Sequence, residues 1–172
     1  MKKETKIVLS IMALLMAGVT VLAFLNRDRI AQMRERSVSG TFVIVADKER
    51  HEVSMDTILA LEPQIIDANL KKNALAPVPR KYTGVSLLSL FEYFHVDFTQ
   101  AENVLFSAPD GFSSFIGIEQ AADPENCFIV YKADGELIGT RENGGDGPFM
   151  MILAKDPFSN RWCKYLMEVE LQ

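Results

Sequence analysis

Cysteine and histidine are scarce in this sequence, which contains only two of each in 172 residues. Cys127 and Cys163 are far from a Cys-x-x-Cys or Cys/His spacing, and His51 and His95 have no companions at the spacing of metal ligands. These absences exclude the usual zinc sites and covalent c-type haem. Because both cysteines lie in apolar, β-like stretches, we expect buried thiols, with one disulfide as the alternative in an oxidising compartment.

Positive charge is also scarce beyond the N-terminal tail. After Arg29 the sequence has thirteen lysines and arginines against twenty-one aspartates and glutamates, a net charge of −8. No basic stripe interleaved with aromatic residues occurs there, so the sequence lacks the positive surface that nucleic-acid binding needs. Anionic lipid headgroups would repel such an acidic surface, and we expect the domain to stand away from the bilayer.

Motifs for nucleophilic catalysis and phosphate binding are missing as well. No Gly-x-Ser-x-Gly elbow occurs. The stretch "NGGDGPF" at residues 143–149 lacks the Lys-Ser/Thr of a phosphate loop, and it leads into an apolar strand instead of a helix. Its local chemistry predicts a turn in which glycine supplies positive φ and Pro148 opens the strand.

An apolar run follows the basic tail at residues 1–6. Residues 7–25 carry no charge, and in a helix they would rise roughly 28 Å, close to the ~30 Å of a hydrocarbon core. We expect an uncleaved signal anchor, single-pass in the cell membrane. A cleaved signal peptide, cut near Ala23, is the alternative. Cations flank the run on both sides, so the extracytoplasmic placement of the C-terminal domain follows from the short tail and not from the positive-inside rule.

The rest of the chain predicts one domain. We expect the tail and anchor at 1–29, a polar stalk at 30–39 and the domain at 40–172. Hydrophobic periodicity and turn signals predict strands at 41–46, 51–53, 64–70, 103–107, 112–118, 127–132, 136–138, 149–154 and 161–171, helices at 55–61, 85–94 and 119–122, and a loop at 71–82. Glu168 and Glu170 are expected on the solvated face of the last strand. The fold class is a strand-dominated α+β domain.

Five motifs follow one another along this domain. They are "KYTGVSLLSLFEYFHV" (81–96), "APDGFSSFIGIEQA" (108–121), "ADGELI" (133–138), "GGDGPFMMIL" (144–153) and "RWCKYLMEVEL" (161–171). In this order they resemble the sulfite-oxidase-type molybdopterin-binding domain over residues 40–172. The resemblance implies the fold of that family, oxidoreductase chemistry, and molybdopterin or another pterin-like anion as the ligand.

The resemblance also implies a site between the start of the second helix and the Gly-Pro loop. Backbone amides and nearby cations there would meet the phosphate tail of a pterin. The positions that match the family are Lys81, Tyr82, Gly84, Gly145, Gly147 and Pro148. Arg80 and Arg141 are added as neighbouring cations, and Asn143 as the side chain that opens the loop.

Two departures from the family pattern bear on catalysis. The family's molybdenum-ligating cysteine precedes this helix, and residues 40–100 contain no cysteine. Phe149-Met150-Met151 replaces the basic residue after the Gly-Pro pair, so we expect no metal. Two functions stay open: a redox component that holds a pterin-type cofactor, or a non-catalytic module that binds another small anionic ligand or a partner protein. A redox or transport protein of the membrane is the partner that the first function implies.

Overall fold

The computed structural model describes residues 8–9, 11–24, 27, 40–70 and 76–172. The chain divides into two compact units, Met1–Glu35 and Arg36–Gln172. In the first unit the described residues are helical and their large apolar side chains are exposed. No helix within the described residues is long and apolar enough to cross a membrane. Parts of the predicted anchor and the whole predicted stalk at 30–39 lie outside the described residues, so both stay predictions.

The second unit is rich in strands. The strands are β1 (Phe42–Ala46), β2 (Glu49–Val53), β3 (Gln64–Leu70), β4 (Val78–Ser86), β5 (Asn103–Ser107), β6 (Ser113–Gly117), β7 (Cys127–Ala133), β8 (Glu136–Leu137), β9 (Met150–Leu153) and β10 (Glu168–Leu171). The helices are α1 (Met55–Ala60), α2 (Leu87–Tyr93) and α3 (Ile118–Ala121), with short 3-10 turns at Arg141–Asn143 and Ser159–Arg161. The predicted α+β class is confirmed.

These strands form two five-stranded sheets. The first has the order β2-β1-β10-β5-β6, with β1 and β10 parallel and the other neighbours antiparallel. The second has the order β3-β4-β7-β8, and β9 also pairs with β7. One continuous core contains buried side chains from both sheets, and the rings of Phe42 and Phe149 meet there edge to face with centroids 5.2 Å apart.

Side-chain caps explain where the first two helices begin. The Ser54 hydroxyl accepts from the amide of Thr57, and the Thr57 hydroxyl accepts in return from the amide of Ser54, which is a capping box. The Ser86 hydroxyl accepts from the amide of Ser89 in the same way. Each cap satisfies helix amides that have no partner within the helix.

The predicted loop at 71–82 and the predicted start of the second helix need correction. Residues 71–75 lie outside the described part, but Val78–Ser86 is a nine-residue strand and α2 begins only at Leu87. Pro79 is tolerated because β4 pairs there with β3 alone; β7 joins only from Tyr82 onward. The helical spacing misled the prediction because Val85 is buried within a sheet and not on a helix face.

The predicted last strand is also too long. Tyr165 has φ +53°, a value that no extended strand allows, and β10 contains only Glu168–Leu171. Glu168 is not on a solvated face, because it is buried and bonded to Arg50, with Nη2 2.7 Å from Oε2. The alternation of residue types in this stretch therefore begins well before the strand itself.

Candidate functional site

The predicted site residues before α2 all lie on β4, a strand with neighbours on both sides. Gly84 sits at an irregularity in the pairing of β4 with β7. A Cβ at this position would lie 2.2 Å from the carbonyl oxygen of Ile129, so the two backbones are too close for any side chain. Packing between the strands therefore accounts for this glycine without a ligand.

Arg80 and Lys81 hold the hairpin turn after β7 against β4. The Arg80 Nε atom lies 2.9 Å from Asp134 Oδ2, and the Lys81 amide donates to Asp134 Oδ1 over 3.1 Å. In return, the Asp134 amide donates to the Lys81 carbonyl over 2.6 Å. The Lys81 Nζ atom lies 2.9 Å from Asp67 Oδ1 at an exposed position. Both predicted cations are thus paired with carboxylates in the folded domain.

Tyr82 lies between these cations and the core. Its side chain is buried, and its ring meets Trp162 edge to face with centroids 5.6 Å apart. Burial raises the pKa of the Tyr82 phenol, the Arg80 guanidinium acts in the opposite direction, and Asp134 and Asp146 add weaker upward effects. Asp146 belongs to the glycine loop, defined here as residues 139–148.

The glycines of this loop are explained largely by contacts within it. The Gly144 amide donates to the Arg141 carbonyl over 3.1 Å, the Gly145 amide to Thr140 over 2.9 Å and the Gly147 amide to Gly139 over 2.8 Å. Gly144 has φ +72°, as the predicted turn requires. A Cβ at Gly145 would lie 2.2 Å from the Ile138 carbonyl oxygen. An anion would therefore have to displace internal hydrogen bonds to reach these three amides.

Sequence reasoning missed two side chains that hold the loop. The Lys164 Nζ atom lies 2.9 Å from Asp146 Oδ1, and the Tyr165 hydroxyl donates to the Gly145 carbonyl over 2.8 Å. The Tyr165 amide also donates to the Asp146 carbonyl over 2.9 Å. The "KY" pair lies inside the last motif, but the sequence gives no signal that Tyr165 leaves the strand, so its reach to the loop could not be predicted.

Arg141 differs from the other predicted cations. Its guanidinium lies over the Tyr165 ring, 5.5 Å from the centroid, and Arg141 as a whole is exposed. It makes no ion pair with a carboxylate anywhere in the described part of the chain. Asn143 ends the same 3-10 turn, and its amide donates to the Thr140 carbonyl over 3.1 Å. An open guanidinium on an aromatic ring suits the recognition of a planar anion.

The donor set does not fit a molybdenum centre. Cys127 and Cys163 are free and fully buried, which confirms the expected thiols. Burial, with a smaller effect of Asp110, raises the pKa of Cys163 to about 12, and burial raises the pKa of Cys127 as well. The thiolate is the form that ligates a metal, so neither cysteine is suited to the task. Among the described residues no three His, Cys, Asp or Glu side chains cluster as ligands.

Comparison with known proteins bears on the fold. No family profile matches the sequence, and no relative is found among curated proteins. Among solved structures, the chain is similar to the sulfane dehydrogenase SoxCD from Paracoccus pantotrophus, with a TM-score of 0.63 and 13% identity over 76% of this chain. The chain spans only 37% of the length of that protein. The likeness supports the fold that the five motifs imply, and it bears on the fold alone.

Proposed function

We propose that the domain binds a small anionic ligand, such as a metal-free pterin phosphate, beside β4 and the glycine loop, without catalysing a reaction. The observation that carries this proposal is the position of Arg141. Its exposed guanidinium rests on the Tyr165 ring, and the Tyr165 hydroxyl is bonded to Gly145 in the loop. A phosphate or carboxylate can take two parallel hydrogen bonds from such a guanidinium.

The paired cations on β4 support the same site. Arg80 and Asp134 form an ion pair whose side chains are 38% and 50% exposed, so solvent already competes for both partners. An anion that arrives at Arg80 replaces a hydrated carboxylate and not a buried one. Arg80 and Arg141 are therefore the two side chains that we assign to the ligand.

A redox component is the second candidate, and the likeness to a sulfane dehydrogenase favours it. In this function the same site would hold a pterin-type cofactor, and electrons would pass to or from a partner protein in the membrane. The chain's own thiols do not supply the metal ligand that this chemistry needs, as their burial shows. We therefore place non-catalytic binding first.

The binding test uses the full-length chain in detergent, with pyrophosphate and a phosphorylated pterin as probes in calorimetric titrations. Loss of a charge-assisted hydrogen bond costs ~1.5–3 kcal/mol, so Arg141→Ala should weaken binding by about tenfold or more. Lys155→Ala is the matched control. Lys155 follows β9 whereas the glycine loop precedes β9, so the two are at opposite ends of that strand. The Lys155 Nζ atom pairs with Asp123 Oδ2 at 2.7 Å. Equal losses in the two variants, or no saturable binding of either probe, would overturn the proposal.

Metal content separates the two candidate functions. The full-length chain, purified from a host that makes molybdenum cofactor, should contain far less than one metal atom per chain. A stoichiometric amount of molybdenum or tungsten would support the redox function and overturn the non-catalytic proposal.

We further propose that the uncharged run at residues 7–25 anchors the protein with its domain outside the cytoplasm. The proposal rests on the length of the run and on the short basic tail before it. N-terminal sequencing of the mature protein should find the tail intact. A mature chain that begins near Phe24 would show a cleaved signal peptide instead.

A further inference from the structure

The β6 edge of the first sheet lacks the usual protection of a sheet edge. Its sequence, "SSFIG", contains neither charge nor proline, whereas β2 at the opposite edge reads "ERHEV". Natural proteins place charges, prolines or bulges on open edges, because unpaired strand groups otherwise bind another strand. Within the described residues β6 pairs only with β5.

The hydrogen-bond pattern shows which backbone groups face outward. The Ala108 amide donates to the Phe112 carbonyl and the Ile118 amide to the Glu102 carbonyl, each over 2.9 Å. Bonded pairs alternate along an antiparallel ladder, so the bonded pairs between these two are Phe106–Ser114 and Val104–Ile116. The remaining residues of β6 therefore direct their amides away from β5. They are Ser113, Phe115 and Gly117. The carbonyls of Ser113 and Phe115 face the same way, whereas Gly117 is the N-cap of α3 and its carbonyl accepts the first bond of that helix.

Space and side chains at this edge are also open. Phe115 is 55% exposed and Phe112 is 41% exposed. A Cβ at Gly117 would meet no atom of the chain within 4 Å. The outward backbone groups are thus accessible, and they are flanked by apolar surface that would gain from burial.

We propose that this edge pairs with the β6 edge of a second copy of the chain, antiparallel about a two-fold axis at Phe115. The three outward residues are spaced symmetrically about this axis. The register sets Phe115 opposite the partner's Phe115, and Ser113 opposite the partner's Gly117. This arrangement joins two five-stranded sheets into one and satisfies the open backbone groups of both copies.

Charge restricts where two copies of the chain can meet, and this edge is neutral. The chain beyond Arg29 has a net charge of −8, so two copies repel each other over most approaches. The paired segment is neutral, and no like charges stand opposite each other within it. Asp110 and Glu119 flank the segment, and their repulsion across the interface predicts a dimer that tightens as ionic strength rises.

The test measures the mass of the full-length chain in detergent by sedimentation equilibrium. The variant Gly117→Pro removes one outward amide from each copy. The φ of Gly117 is −64°, which suits proline, and an edge strand tolerates proline at a position whose amide points outward. We expect a wild-type dimer and a dissociation constant at least about tenfold higher in the variant, because two hydrogen bonds are lost per dimer. A wild-type monomer across the accessible concentrations would overturn the proposal, and the edge would then be free for a strand of another protein.

A matched pair of charge variants separates this edge from general hydrophobic association. Phe115→Lys and Leu137→Lys both place a cation on an edge strand at a residue that is more than half exposed, at 55% and 66%. Phe115→Lys sets two cations opposite each other at the axis and should give a monomer. Leu137→Lys should leave the dimer intact. Equal effects of the two variants would contradict the assignment to β6.

Cysteine cross-linking tests the register. The Cα atoms of the two Phe115 residues would lie ~5.5 Å apart in a bonded antiparallel pair, within the reach of a disulfide. The two Ser113 residues would be separated by four positions, roughly 13 Å along the strand, which is too far. Phe115→Cys should cross-link under mild oxidation and Ser113→Cys should not, with no interference from the buried native thiols. Faster linkage at Ser113 would overturn the register.

Discussion

Each sheet of the domain holds an arginine–carboxylate pair, and the surroundings of the two pairs differ. In the first sheet the Glu168 side chain is 8% exposed, with its carboxylate 2.7 Å from Arg50. In the second sheet the Asp134 side chain is 50% exposed, with its carboxylate 2.9 Å from Arg80. A buried carboxylate loses much when its partner is removed, whereas an exposed one regains water. The first pair therefore supports the fold, and the second can exchange its partner for a ligand.

Gly145 and Gly117 differ in the same direction. Gly145, in the loop that joins strands of the second sheet, has no room for a Cβ, whereas Gly117 in the first sheet has open space. The backbone at Gly145 is therefore packed closely, and the adaptable parts of the candidate site are the arginine side chains. The comparison predicts that glycine variants test the fold, and that arginine variants test the function.

The largest expected effect is that of Gly145→Ala. A Cβ 2.2 Å from the Ile138 carbonyl oxygen and 2.5 Å from the Gly139 carbonyl carbon forces the backbone to move. We expect the free energy of unfolding to fall by ~3 kcal/mol or more, measured by urea denaturation. Gly117→Ala is the control and should change it by less than ~1 kcal/mol, since its φ is negative. Similar losses in both would show that the loop yields easily, and would remove the contrast between the sheets.

Breaking the ion pair of Arg50 with the buried Glu168 should have the next largest effect. Arg50→Met leaves the Glu168 carboxylate buried without its guanidinium, and we expect a loss of ~1–3 kcal/mol in the free energy of unfolding. The double variant Arg50→Met with Glu168→Leu should regain most of this loss, because no charge is then left buried. A double-mutant cycle measures the coupling. Additive losses would mean that the two side chains support the fold independently.

Alkaline pH should destabilise the domain through the buried thiols. Burial raises the pKa of Cys163 from its usual 9.0 to about 12, so the folded state keeps a proton that the unfolded state releases. Its contribution to stability is complete below pH 9 and is lost as the pH rises toward 12. At pH 10 the loss is on the order of 1 kcal/mol. Cys163→Ala should show a smaller fall between pH 7 and pH 10 than the wild type; an unchanged fall would assign the effect to other groups.

The sequence predicted the fold wherever local chemistry decides the structure. Strands β1, β3, β5, β6 and β7 and helix α1 follow from short-range patterns, and the structure contains them. Prediction failed where distant contacts decide. Val85 belongs to a strand because Gly84 lets β4 approach β7, and Glu168 is buried because Arg50 reaches it from another strand. Neither partner is near in sequence.

The same distinction between short-range patterns and distant contacts applies to the candidate site. The five motifs supplied Lys81, Tyr82 and the glycines of the loop, whereas Arg80 was added as a neighbouring cation on its charge alone. What the sequence could not reveal is that the loop amides already have internal acceptors and that Tyr165 turns back to bond Gly145. Whether these residues bind a ligand stays a prediction for the titrations above.

The smallest expected effect on stability is that of Arg80→Met, the counterpart of Arg50→Met in the second sheet. Because its ion pair with Asp134 is largely exposed, the free energy of unfolding should change by less than ~1 kcal/mol. The variant should still change the pKa of Tyr82. The Arg80 guanidinium favours the phenolate, so removal of the guanidinium should raise the pKa of Tyr82 further. NMR titration of labelled tyrosines measures this shift, and Tyr82→Phe assigns the signal. If Arg80→Met costs as much stability as Arg50→Met, the second pair also supports the fold, and an anion would have no hydrated partner to replace at Arg80.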